Sequence, residues 1–162
     1  MEYLENKTYD ELQVGEKVTY SKTLTEEDIY LFAAACGDVN PVHLDAEFAK
    51  GTMFKERIAH GMWSGALISA ALAMKLPGPG TIYAGQTLTF KGPVKIGDTV
   101  TVTLTVEDKK LKGEKKTPFV TIDCVVVNQA GKEVVIGKAE VVPPKEKMKI
   151  PQPARPKVQV SR

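Results

Sequence analysis

Gly61-Met62-Trp63-Ser64-Gly65-Ala66-Leu67-Ile68-Ser69-Ala70-Ala71-Leu72-Ala73-Met74 is an uncharged run of 14 residues, and its reading decides the fold. Apolar side chains fall on every side of the helix these residues would form, with two serines as the polar exceptions. A helix apolar all round is expected to be buried all round. The run is shorter than the ~20 residues of a membrane-spanning helix, and runs of about 10–14 usually mark a core helix. We therefore expect a helix over 61–76, ended by Pro77-Gly78-Pro79-Gly80 and covered on every side.

What covers it lies mostly downstream. Segments 82–90, 99–107, 119–128 and 133–142 are rich in β-branched residues and read as strands. Val100, Val102, Leu104 and Val106 keep strict alternation with threonines, which gives one face to a core. Gln129-Ala130-Gly131-Lys132 reads as a hairpin connection. Upstream, 18–24 reads as a first strand. Thr25 then places a capping hydroxyl before Glu26, Glu27 and Asp28, acids suited to the positive end of a helix. That helix should span 26–36 and stop at Gly37, with Ile29, Phe32, Ala33 and Cys36 as its core face. One apolar helix and one antiparallel sheet satisfy each other only if the sheet wraps around the helix. The expected class is α+β, in the architecture called the hot-dog fold. A wrapped sheet leaves an edge strand open, so a homodimer is expected as well.

A chain of 162 residues is the size of one domain. Its 43% hydrophobic and 26% charged content is that of an ordinary soluble protein. A net charge of +2 gives no reason to expect nucleic acid. The charge is uneven, however: residues 143–162 carry a net +5 and residues 1–142 a net −3. The same last 20 residues hold five of the ten prolines. We read 1–142 as a single domain and 143–162 as a basic, flexible tail. Cys36 and Cys124 form no disulfide framework, and the opening MEYLENKTYDEL has no apolar core. A reduced, cytoplasmic protein without a signal peptide or a membrane partner is the expectation.

Both histidines, His43 and His60, fall between the two expected helices. His43 lies in Gly37-Asp38-Val39-Asn40-Pro41-Val42-His43, where Pro41 lacks an amide hydrogen and pushes Asn40 out of the helical region. We expect an ordered loop over 38–44, then a short helical turn over 45–50. In that loop Asp38 and His43 can converge on one water and remove its proton. The plainer alternative is that Asp38 caps a turn and His43 satisfies a backbone carbonyl. His60-Gly61 opens the apolar helix, where unpaired amides carry partial positive charge. A substrate oxygen that develops negative charge would be stabilised at Gly61. Alternatively, Gly61 only permits close packing, and His60 only orients or packs. Ser64 and Ser69 have no nucleophile elbow. Cys36 reads as packing, and no set of metal ligands at the usual spacing is present.

Ala35-Cys36-Gly37-Asp38-Val39-Asn40-Pro41-Val42-His43, with Ala46 and Phe48, resembles the hydratase 2 motif of the MaoC-like (R)-specific enoyl-CoA hydratases. Ile58-Ala59-His60-Gly61-Met62 and Leu76-Pro77-Gly78-Pro79-Gly80-Thr81-Ile82-Tyr83, then Gly85-Gln86, are similar to further family segments. So are Lys91-Gly92-Pro93-Val94 and Gly97-Asp98, and the resemblance covers roughly residues 12–142. It implies reversible addition of water to a trans-2-enoyl-CoA, giving (R)-3-hydroxyacyl-CoA, without a metal or redox cofactor. It further implies that Asp38 and His43 activate the water and that the Gly61 amide holds the thioester oxygen. Asn40 would shape the loop, and Ser69 and Leu72 would line the substrate's acyl pocket. The tail beyond Val142 departs from the compact members. Three rival readings remain: the same chemistry on an acyl-carrier-protein thioester, thioester hydrolysis, as other hot-dog proteins perform, and an acyl-CoA-binding module without turnover.

Overall fold

A sheet curls around one helix in the computed structural model, which describes residues 1–161. In chain order the elements are β1 (Tyr3–Glu5), a 3₁₀ turn (Tyr9–Glu11), β2 (Lys17–Thr23), α1 (Glu26–Cys36), α2 (Pro41–Leu44) and α3 (Ala46–Lys50). There follow α4 (Gly61–Met74), β3 (Ile82–Gln86), β4 (Thr89–Phe90), β5 (Thr99–Lys112), β6 (Thr117–Val127), β7 (Glu133–Val142) and β8 (Lys149–Pro151). The main sheet is antiparallel, in the order β2-β5-β6-β7-β3, with β4 also paired to β7.

Alternation along the strands makes the core. Val102 pairs with Val126, Leu104 with Cys124 and Val106 with Ile122 across β5 and β6. Ile122 in turn pairs with Ala139, and Val120 with Val141, across β6 and β7. All of these side chains are buried, and they pack with Trp63, Leu67, Ile68, Ala71 and Leu72 of α4. Helix α1 begins as its sequence dictates: the Thr25 hydroxyl accepts from the Asp28 amide, and Asp28 accepts from the Thr25 amide. It ends at Gly37, whose φ of 84° is the left-handed conformation of a helix stop.

Four expectations need correction. Strand 82–90 is interrupted, giving β3 and β4, and β5 runs past its alternating part to Lys112 through a bulge between Val106 and Asp108. Cys36 is exposed: it shares the face of Ile29 and Ala33 but is the last residue of α1, and burial on that helix stops at Ala33. The apolar helix is not covered on every side. Met62, Ala66, Ser69 and Ala73, spaced on one stripe of α4, are exposed in the single chain. That stripe meets β3, the edge of the main sheet, across a cavity of about 490 Å³.

The fourth correction concerns the tail. β8 pairs with β1, placing Ile150 opposite Leu4, and Pro143 and Pro144 are buried. Fully buried Asn6 holds this segment: Nδ2 donates to Glu146 O (2.9 Å) and Pro79 O (3.1 Å), while Oδ1 accepts from Met148 N (2.9 Å). Composition argues for a solvated chain, but one asparagine with three long-range hydrogen bonds and a short strand pairing orders residues 143–151. Residues 152–161 run on without regular structure, and Arg155 donates to the Tyr20 hydroxyl at 3.3 Å. Arg162, the end of the expected tail, lies outside the described residues.

Candidate active site

The segment after Gly37 is more regular than a loop. Pro41 begins a helical turn, since a missing amide hydrogen costs nothing at the first helical position. Asn40 caps the turn, with Oδ1 accepting from Val42 N at 3.2 Å. Asp38 shapes the approach, its Oδ1 accepting from Asn40 N at 3.1 Å. α2 thereby turns His43 inward, and His43 is 8% exposed. Its Nδ1 lies 2.8 Å from Ile58 O. A carbonyl only accepts, so the ring proton sits on Nδ1 and the lone pair of the neutral ring is on Nε2.

That Nε2 faces Asp38 Oδ2 at 3.8 Å. The pair is too far apart for a direct hydrogen bond, and a single water at ~2.8 Å from each fits the spacing. The plainer reading of these residues holds, and it leaves one oxygen and one nitrogen available for the chemical one. Asp38 uses one oxygen for the turn and His43 one nitrogen for the carbonyl, and these bonds aim the other oxygen and the other nitrogen at each other.

His60 is buried beside them. Its ring stacks on that of His43, with centroids 3.9 Å apart and planes at 25°, and its Nε2 lies 2.8 Å from Asp38 O. Gly61 begins α4, and the His60 side chain makes no capping bond, so no side chain caps the leading amides. A Cβ at residue 61 would stand 3.1 Å from the Phe90 ring, so close approach rather than backbone conformation calls for glycine. A cavity of about 390 Å³ opens here, bounded among others by His43, Phe54, His60, Gly61, Ser64 and Phe90. The half-exposed Asp38 carboxylate is reached through His43 and is not part of that wall.

The structure therefore brings Asp38 Oδ2 to 3.8 Å from His43 Nε2, sets His43 and Gly61 on one cavity wall, and uses Asn40 as the cap of α2. It does not bring Ser69 or Leu72 there. Ser69 borders the other cavity, along the open stripe of α4. Leu72, expected in the acyl pocket, is 2% exposed within the core and borders neither cavity. Its helical position points it at the sheet. Residue-by-residue reading did not single out Ile58 or Phe90. Ile58 acts through a carbonyl, which no side-chain pattern marks, and Phe90 reads as a strand aromatic. One donor atom each from Asp38, His43 and His60 lies within 4.8 Å of the others, as a metal site would need. The hydrogen bonds do not suit that role. One nitrogen of each imidazole is already committed to a carbonyl, and the remaining nitrogen of His60 is buried.

A hot-dog fold with a carboxylate–imidazole pair near an open helix start has the groups that acid–base chemistry requires. The chain belongs to the MaoC-like domain family, whose model matches residues 11–128. It is 48% identical over 136 residues to an (R)-specific enoyl-CoA hydratase of Rhodospirillum rubrum, covering 84% of this chain and 91% of that protein. It is 42% identical over 139 residues to a 3-hydroxybutyryl-CoA dehydratase of Methylorubrum extorquens, covering 85% of each. Among solved structures it resembles the unliganded R-hydratase PhaJ1 of Pseudomonas aeruginosa, at 51% identity and a TM-score of 0.91. That match spans 99% of this chain and 100% of the other, so the C-terminal segment is shared.

Proposed function

We propose that this protein is an (R)-specific enoyl-CoA hydratase, a hydro-lyase that interconverts trans-2-enoyl-CoA and (R)-3-hydroxyacyl-CoA. The observation that carries the reading is the facing pair Asp38 Oδ2 and His43 Nε2, 3.8 Å apart. Its support from relatives is the hydratase and dehydratase activity named for proteins 42–48% identical to it.

In the forward reaction a water bound between the two side chains loses a proton as its oxygen bonds to the β-carbon. The bare lone pair on His43 Nε2 takes that proton while Asp38 orients the water. The thioester oxygen gains charge as an enolate, and the Gly61 amide at the start of α4 donates to it. The α-carbon then receives a proton from the same pair, on the same face. Atoms balance as one water added across one double bond. Asn40 keeps α2 in place and so keeps His43 aimed.

We also propose a homodimer in a reducing cytoplasm. Support for the dimer is the exposed stripe Met62, Ala66, Ser69 and Ala73 beside edge strand β3, where Ile82 is 62% exposed. A second copy would cover both and close the Ser69 cavity, giving it a place along the acyl chain. Sedimentation should give twice the 17.7 kDa chain mass, and Ala66→Glu should shift it to the monomer. Support for the compartment is the free state of Cys36 and Cys124.

The decisive assay follows loss of enoyl-thioester absorbance with crotonyl-CoA, with chiral analysis of the product. We expect (R)-3-hydroxybutyryl-CoA, and a fall in kcat of about 10²-fold or more in Asp38→Asn. Release of free thiol without hydration would replace this reading with thioester hydrolysis.

A further inference from the structure

His60 occupies the N-cap of α4, where a polar side chain ordinarily turns onto the first-turn amides. It makes no such bond. Its Nε2 instead reaches Asp38 O at 2.8 Å, a carbonyl that only accepts, so Nε2 carries the hydrogen. The other nitrogen, Nδ1, is buried and has no partner. Buried polar atoms are almost always paired, so a ring held this way forgoes stability for something else. The ring also lies face to face with His43 at 3.9 Å and meets Phe32 at 5.1 Å.

The strand-like segment behind His60 is fixed. Ala59 N donates to Val94 O at 2.8 Å, and Ile58 bridges to Lys95. The same Ile58 supplies the carbonyl that orients His43. One anchored tripeptide, 58–60, thus touches both members of the pair: Asp38 through its main chain, and His43 through its ring face and its Nδ1.

We propose that His60 is a positioning residue for the hydration, holding Asp38 and His43 at the separation that lets both address one water. The inference rests on the reading of those two residues as the acid–base pair. The Nε2–H bond to the Asp38 carbonyl sets where Asp38 sits, and so its distance from His43.

The test compares His60→Gln with His60→Asn in the whole protein, using crotonyl-CoA. The glutamine nitrogen reaches about as far from the backbone as Nε2, and the asparagine nitrogen only as far as Nδ1. H60Q should keep kcat within about fivefold, while H60N should lose on the order of 10²-fold, the cost of a misplacement near 1 Å. KM should move less than about threefold in both, because the change acts on the chemical step rather than on binding. Added to a D38N/H43Q background, H60N should lower the residual rate no further, as expected for residues acting as a unit. Equal losses in H60Q and H60N, a loss confined to KM, or wild-type kcat in H60N would overturn the proposal. So would a kcat loss matched by a lower melting temperature in H60N alone, which would assign His60 to stability. Wild-type turnover in D38N and H43Q would instead sink the underlying acid–base reading, so the two failures are distinguishable.

Discussion

The β5–β6–β7 face and the 37–61 connection are adjacent in space and built on opposite terms. On the sheet, every inward residue from Val100 to Val106 and from Val120 to Val126 is apolar and fully or almost fully buried. In the connection, a carboxylate stands half-exposed, one imidazole is held off its partner by 3.8 Å, and another buries a nitrogen without a partner. Apolar rows bring stability with little geometric demand on any one atom. The connection gives up stability to hold polar atoms at set distances, as the unpartnered nitrogen of His60 shows.

Four perturbations test this contrast, beginning with the largest. Leu104→Ala empties a fully buried site between sheet and helix and should cost about 3 kcal/mol of unfolding free energy, read as a lower urea midpoint. Turnover per folded molecule should stay at the wild-type value. His43→Gln should do the reverse, lowering kcat about 10²-fold with an unchanged melting temperature. If either variant moved both quantities together, the division between framework and site would be wrong.

Asn6→Ala comes next. It removes two donated bonds and one accepted bond that tie residues 146–148 and Pro79 to the domain. A loss of about 2 kcal/mol is expected, with faster tryptic cleavage at Lys145, Lys147 and Lys149. An unchanged cleavage rate would mean that β1–β8 pairing alone holds the segment. The smallest effect concerns pH. Burial pushes the Cys124 thiol up to about 11 from an ordinary 9.0, and the neighbouring Asp123 adds to this against hydrogen bonds from Gln86 and Ala139. Between these two values the unfolded chain binds fewer protons than the folded one, so stability falls as pH rises through the window. Cys124→Ala should lose less stability than wild type over that range, by about 1–2 kcal/mol, in urea titrations at successive pH values. Burial also pushes the Tyr83 phenol up to about 12, so both proteins should still weaken at the alkaline end.

The contrast also explains which parts could be read in advance. Strand alternation, the Thr25 cap and the Gly37 stop are local patterns, and each is present close to where the residues put it. The places of Asp38, His43 and Gly61 were legible because a short turn and a helix start define their surroundings within a few residues. Pro41 misled in part: it excludes a helix interior but suits a helix start, and α2 begins there.

Local spacing thus determined the helix, the strands and the approach of Asp38 to His43. The folded chain alone decided the matters that depend on residues far apart in sequence. Ile58 O orients His43, Asn6 captures residues 146–148, and Leu72 goes to the core while Ser69 faces outward. An apolar helix carries no mark of which stripe its own sheet will leave open. That follows from how far the sheet curls, and curl belongs to the sheet as a whole rather than to any stretch of residues.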